Sequence, residues 1–157
     1  VSNPGPSNDT TKIPGTPVTQ LSIFLENRVG ALLSIVKLIN ELKVEVIGLS
    51  VVDSVDATVV RMIVTDPETT CTMFMEKGIP YSETTMLAVE LHEGANGMAE
   101  CLATLLEGEM NIHFGYPLLS RPNGKAALVF CLEDPDFGRR VLHKAGFRLL
   151  YQEDLSR

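Results

Sequence analysis

LENRVGALLSIVKLI, residues 25–39, is the stretch on which the fold turns. A strand pattern ends there, an Asn-x-x-Gly turn follows at residues 27–30, and a helix pattern begins at once. Residues 31–42 place Leu32, Ile35, Val36, Ile39 and Leu42 on one helical stripe, with Ser34, Lys37, Asn40 and Glu41 mostly off it. Upstream, residues 18–26 (VTQLSIFLE) alternate, with Leu21, Ile23 and Leu25 on one face. Downstream, residues 44–52 and 57–65 are β-branched runs joined by a short polar insert, which predicts a hairpin. Asp66-Pro67 opens a second helix, with Asp66 as N-cap and Pro67 in the first turn. Cys71, Phe74 and Met75 form its apolar stripe, and Gly78 ends it.

The same order recurs. Residues 84–91 predict a strand, 92–97 a turn, and 98–107 a helix with Met98, Cys101, Leu102 and Leu105 inward. Residues 111–119 and 125–133 predict strands around a turn at 120–124. Asp134-Pro135 opens a helix that Gly146 closes, and residues 147–151 predict a last strand. Gly30 matches Gly97 and Gly48 matches Gly115, both 67 places on; Asp66-Pro67 matches Asp134-Pro135 and Gly78 matches Gly146, both 68 places on. The change of offset implies one extra residue in the middle turn of the second copy. The chain therefore reads as a duplication. The expected divisions are a flexible N-terminal tail at 1–17, a first module at 18–82, a second at 83–152 and a C-terminal tail at 153–157.

Each copy runs strand–helix–strand–strand–helix–strand, which predicts an α+β fold of two ferredoxin-like βαββαβ modules. Their antiparallel sheets carry the helices on one face. Val59, Val60, Met62, Ile63 and Val64 leave few polar positions on the third strand, so its second face also needs cover, from the other module or another chain.

Bulk properties narrow the function. The net charge of −7 disfavours nucleic acid as a partner, and no apolar run is long enough to span a bilayer. Cys71, Cys101 and Cys131 are odd in number and widely spaced, which argues against a disulfide framework or zinc site and for a reducing, cytoplasmic setting. His92, His113 and His143 fall on different elements. No metal or cofactor is expected, and paired carboxylates placed for acid–base catalysis are not evident.

The turn at 27–30 has its own chemistry. Amide hydrogens at a helix start are unsatisfied and carry partial positive charge, so they suit a carboxylate. Gly30 has no Cβ and lets a ligand approach the backbone.

Asn27-Arg28-Val29-Gly30-Ala31-Leu32, together with the repeat, resembles the ligand loop of ACT domains, the amino-acid-sensing modules of metabolic regulation; Val29 stands where that loop often has Pro. The resemblance implies that two modules lie side by side in an eight-stranded sheet. A free L-amino acid would lie at their shared edge, its carboxylate on the loop of one module. The start of the neighbour's second strand, where Asn-Ile is common, would contact the rest. Asn111-Ile112 occupies that place in the second module and Glu45-Val46 in the first. The implied ligand-binding residues are Asn27, Arg28, Val29, Gly30, Ala31, Leu32 and Asn111. A second, weaker site would comprise Glu45, Asn96, Gly97 and Met98, because the loop at 93–98 departs from the motif, lacks the basic residue and reads as one residue longer. The implied function is an amino-acid-binding allosteric regulatory protein, not an enzyme, acting alone or as a regulatory subunit. Its implied partners are a second copy, giving a homodimer, and an amino-acid metabolic enzyme. The alternative is a ligand-free dimerisation or interaction scaffold. Arg28 and Asn40 also resemble the Arg and Asn of small acylphosphatases, but ENRVGALL is not that family's Gly-rich phosphate cradle.

Overall fold

The structure, a computed structural model, describes residues 15–26, 30–53, 55–92 and 96–156. The alternation in the first copy becomes strand β1 (Val18–Leu25). Leu21 and Ile23 are buried under helix α1 (Ala31–Glu41), while Gln20 and Ser22 point to the opposite face. Strands β2 (Val46–Asp53) and β3 (Thr58–Val64) form the expected hairpin, followed by helix α2 (Pro67–Glu76) and strand β4 (Tyr81–Glu90). The second copy adds helix α3 (Gly97–Glu107), strands β5 (Ile112–Pro117) and β6 (Ala127–Leu132), helix α4 (Pro135–Lys144) and strand β7 (Leu149–Leu150). A single helical turn, α5 (Gln152–Leu155), follows.

The sheet order is β2-β3-β1-β4-β6-β5, with β7 also paired to β4, and every pairing is antiparallel. There are seven strands rather than eight because β4 serves both modules. Its first half pairs with β1, from Tyr81 opposite Ile23 to Met86 opposite Val18. Its second half, Leu87–Glu90, pairs with β6, and Ala88 and Val89 also pair with β7. The junction expected between residues 82 and 83 lies inside this strand.

The sheet curls until its two end strands meet. Gly48 of β2 bridges Leu118 beyond β5, and the Leu119 amide donates to the Ile47 carbonyl at 2.7 Å. Matching register shifts, between Val46 and Gly48 and between Ile112 and Phe114, bend both end strands, as bulges do. Gly48 permits the closure: a Cβ there would lie 3.0 Å from Ile63 and 3.1 Å from Leu118.

Curling creates three cores. One lies under α1 and α2 and contains Leu21, Ile39, Met62 and Phe74; one lies under α3 and α4 and contains Leu87, Cys101, Leu105 and Leu142. The third lies between the modules, where Val18, Ile47 and Ile63 meet Tyr116, Leu118 and Val129. The second face of β3 is thus covered by the other half of the same chain. The terminal turn clasps the halves as well. The Gln152 side-chain amide donates to the Val64 carbonyl at 3.1 Å, and Leu155 enters the central core.

The repeat holds, but its register needs correcting. Leu21 opposite Met62 corresponds to Leu87 opposite Phe130, and buried Ile35 and Ile39 of α1 correspond to Cys101 and Leu105 of α3. These first-half positions are therefore 66 apart, not 67, while Asp66 and Asp134, each the N-cap of its helix, remain 68 apart. The β5–β6 hairpin carries two extra residues, and the two strand–helix loops are equal in length. Gly30 matches Asn96, each the N-cap of its helix. Gly48 matches Phe114, since each follows the bulged residue, and Gly115 matches Leu49. Matching glycines by identity shifts the pleat by one residue and exchanges the faces.

Two helix stripes also differ from expectation. In α2 it is Met73, 5 % exposed, that is buried, whereas Met75 is 64 % exposed. In α3 Cys101 and Leu105 are buried, but Met98 and Leu102 lie at the edge of the stripe and stay exposed.

Candidate functional site

The four long helices start in two ways. The Asp66 and Asp134 carboxylates accept from the amides of Thr69 and Phe137 at 3.1 and 3.0 Å, capping α2 and α4. No side chain among the described residues caps α1, and its first turn holds no acid. Gly30 precedes it with φ +86°, a left-handed conformation that favours glycine, and open space surrounds the position of a Cβ. The Gly30 carbonyl accepts from both the amide and the hydroxyl of Ser34 at 3.0 Å. Ala31 and Leu32 are half-buried, and Leu32 packs against the first module's core. Asn27, Arg28 and Val29 lie outside the described residues.

Asn111 lies at the same end of the sheet as Gly30. From the Gly48–Leu118 bridge, the antiparallel course of the two strands carries the start of β5 toward Asp53. There Thr58 faces both Asp53 and Leu25, the last residue of β1. Asn111 is exposed, and its side-chain amide donates to Glu133 at 2.6 Å. Deeper at this end, Arg61 of β3 stacks on the Phe114 ring with its guanidinium carbon 3.8 Å from the centroid, a cation–π contact across the modules. No carboxylate pairs with Arg61 among the described residues. Its signal in the sequence is a single cation within the apolar run TVVRMIV. Nearby, Tyr116 donates to buried Gln20 at 2.8 Å, a second polar contact between the halves; burial pushes the Tyr116 phenol far above its ordinary range.

The second loop is built differently. Gly97 is buried, and a Cβ there would sit 2.3 Å from the His92 carbonyl oxygen, so the helix start is pressed against the chain leaving β4. Asn96 has φ −96° and makes no side-chain cap, Met98 is 51 % exposed, and Glu100 places an acid in the first turn of α3.

Glu45, the counterpart of Asn111, borders a cavity of about 360 Å³ at the opposite end of the curled sheet. Ile47, Thr65 and Leu155 join it there from β2, the end of β3 and α5; Ser120, Arg121, Pro122 and Asn123 come from the long β5–β6 hairpin, and Arg148 and Asp154 complete the wall. Asn96, Gly97 and Met98 do not line it. Glu45 and Arg121 have no ion-pair partner among the described residues. The Nε of Arg148 lies 3.5 Å from the carboxylate of buried Glu90, and one Asp154 oxygen accepts from the Tyr151 amide at 2.8 Å.

Among the described residues no group of three or more His, Cys, Asp and Glu is placed to hold a metal, and no helix is long and apolar enough to cross a membrane. All three cysteines are free thiols, and burial pushes Cys71 and Cys101 up to about 11, which keeps them protonated at neutral pH.

Residues 16–157 match the family model described as an ACT domain pair. No curated protein matches the chain. Among solved structures, a protein from Bacteroides thetaiotaomicron superposes with a TM-score of 0.82 at 23 % identity, over 90 % of this chain and 97 % of that one. The ligand-free regulatory subunit of aspartate kinase from Thermus thermophilus superposes with a TM-score of 0.56 at 11 % identity, over 83 % and 94 %. A structure of aspartokinase alpha and beta subunits gives 0.53 at 15 %, over 81 % and 90 %. At these identities the likeness is one of fold.

Proposed function

We propose that this chain, which belongs to the ACT domain pair family, is a non-enzymatic regulatory protein that binds a free L-amino acid between its two modules. The observation that carries this reading is the contrast among helix starts. α2 and α4 are closed by Asp caps, whereas α1 begins at an open Gly30 with no acid in its first turn. Amides left without a cap attract a carboxylate through their unsatisfied donors and the helix dipole. Asn27, Arg28, Val29, Gly30, Ala31 and Leu32 would hold the carboxylate, with Asn111 at the same end of the sheet and Arg61 deeper. Asn111 would have to share its amide between Glu133 and the ligand. A ligand here would bridge the modules and favour one arrangement of the pair, the requirement for allosteric control. The regulatory aspartate kinase subunits on the same fold make an amino-acid metabolic enzyme a reasonable partner.

A thermal-shift screen of the twenty L-amino acids tests the reading. A ligand at ten times its dissociation constant raises Tm by about 4 °C in a chain of this size. Gly30→Asp places an anion at the helix start and abolishes the shift. If no amino acid moves Tm, the sensing reading falls.

The scaffold alternative has its own support. Met98, Leu102 and Leu106 form an exposed apolar stripe along α3, at 51, 39 and 77 % exposure and four residues apart. A second copy would cover it. Sedimentation showing a dimer that Leu106→Lys dissociates, with no response to amino acids, favours that function instead.

A further inference from the structure

We propose that the outer face of α3 is a docking surface for a basic amphipathic helix of a partner protein. The inference goes beyond the proposed function, because it places the attachment of a partner on residues that belong neither to the helix start at Gly30 nor to the cavity beside Glu45. Successive residues of an α-helix advance by about 100°, which puts Met98, Ala99, Leu102, Ala103 and Leu106 in one arc of about 140°. All five are exposed and none is polar. The core of the module is filled from Cys101 and Leu105 instead. The first module serves as an internal control. At the spacing of 66 residues that relates α1 to α3, Ala103 and Leu106 are the counterparts of Lys37 and Asn40. The same face of α1 thus carries a cation and an amide where α3 carries apolar side chains. An apolar face left to solvent marks an interaction surface, and the two alanines let another helix axis come close.

Charge decides which kind of helix fits. Glu100 and Glu107 border the arc, Glu109 follows the end of α3, and none of the three forms an ion pair among the described residues. α3 holds no Lys or Arg, so the negative end of its dipole stands beside two acids without a compensating base, whereas α4 ends on His143 and Lys144. Lys or Arg on an incoming helix would supply that base. A second copy supplies it poorly, since α3 laid antiparallel on α3 brings Glu100 of one copy toward Glu107 and Glu109 of the other. Nor does another helix of the chain offer a matching stripe. Within their bounds α1, α2 and α4 each expose one large apolar residue, Leu33, Met75 and Phe137, and the last lies near Arg140, whose guanidinium carbon is 5.9 Å from the ring centroid. The occupant that matches the face in both apolar length and charge therefore comes from another protein, and the contact is a helix laid on a helix.

The test uses the full chain and two labelled synthetic helices of about 20 residues, long enough to form in isolation. Both carry the same stripe of leucine and alanine; one has lysine on its flanks and the other glutamate. The lysine helix is expected to bind, with backbone-amide NMR shifts centred on residues 98–109, and to bind more weakly as salt is raised. The glutamate helix should not bind. Leu106→Lys should weaken binding by about tenfold, and Glu107→Lys by about threefold; both positions are exposed, so native spectra are expected. Leu33→Lys, on α1, should leave binding unchanged. The inference is overturned if the two helices bind alike, if the shifts fall elsewhere on the acidic surface, or if Leu106→Lys and Glu107→Lys both bind like the parent. It is also overturned if the chain alone sediments as a dimer that Leu106→Lys dissociates, since the stripe then belongs to a second copy. None of these readouts involves a free amino acid, so an empty amino-acid screen would sink the sensing reading and leave this surface standing, and failure of the lysine helix to bind would do the reverse.

Discussion

The two modules enter their first helices through loops of equal length, yet one entry is open and the other is shut. At Gly30 the backbone turns left-handed into space, whereas at Gly97 it is wedged against the His92 carbonyl. Glycine therefore does different work at the two places: conformational at the first, steric at the second. The second module secures its own geometry at the position where the first leaves amides exposed, and its polar invention lies instead in the longer β5–β6 hairpin.

The largest effect concerns register. Ile39 and Leu105 are structural counterparts, both fully buried, so Ile39→Ala and Leu105→Ala should each cost about 3 kcal/mol in chemical denaturation. Leu106, which the 67-residue spacing would pair with Ile39, is 77 % exposed, and its Ala variant should cost under about 0.5 kcal/mol. Equal losses at 105 and 106 would undo the corrected alignment. Next in size, Gly97→Ala should cost about 2 kcal/mol by overpacking, against about 1 kcal/mol for Gly30→Ala, where only the left-handed backbone resists. A reversed order would mean that the second loop is the open one.

Smaller again, Tyr116→Phe should cost about 1.5 kcal/mol, because it leaves the Gln20 oxygen buried without its donor; a near-zero value in urea melts would show that the halves do not depend on that contact. The smallest effect separates capped from uncapped helices. Asp66→Ala should cost about 1 kcal/mol at pH 7. Hydrogen bonds from the Thr69 hydroxyl and amide hold the Asp66 carboxyl below the usual carboxylate range. That part of the stabilisation is present above the unfolded-state pKa and is lost as pH falls through the folded one. The gap between wild type and variant should therefore narrow below about pH 4. A gap that stays constant down to pH 2 would remove the ionised cap from the account.

Much of this architecture is legible in the residues. Alternation at 18–25 and the Asp-Pro openings at 66 and 134 mark their elements because each depends on local geometry alone. The register was not legible in the glycines, since Gly48 and Gly115 are alike in letter but lie on opposite sides of the pleat. The continuity of β4 is hidden by Tyr81, Ser82 and Glu83, polar residues that read as a connection. The closing turn at 152–155 contains one apolar residue, too few for periodicity to reveal. Of the candidate site, the open helix start could be anticipated from the Asn-x-x-Gly turn. The cavity could not, because its charged groups come from segments far apart in sequence and meet only when the sheet curls.

β4 gives the chain a mechanical property. Ten residues run without a hinge from the pairing of one module into that of the next. No linker is present there to absorb rotation, so a twist imposed on the sheet at Tyr81 is delivered at Glu90. The molecule behaves as two wheels fixed to one axle, and whatever locks either wheel also brakes the other.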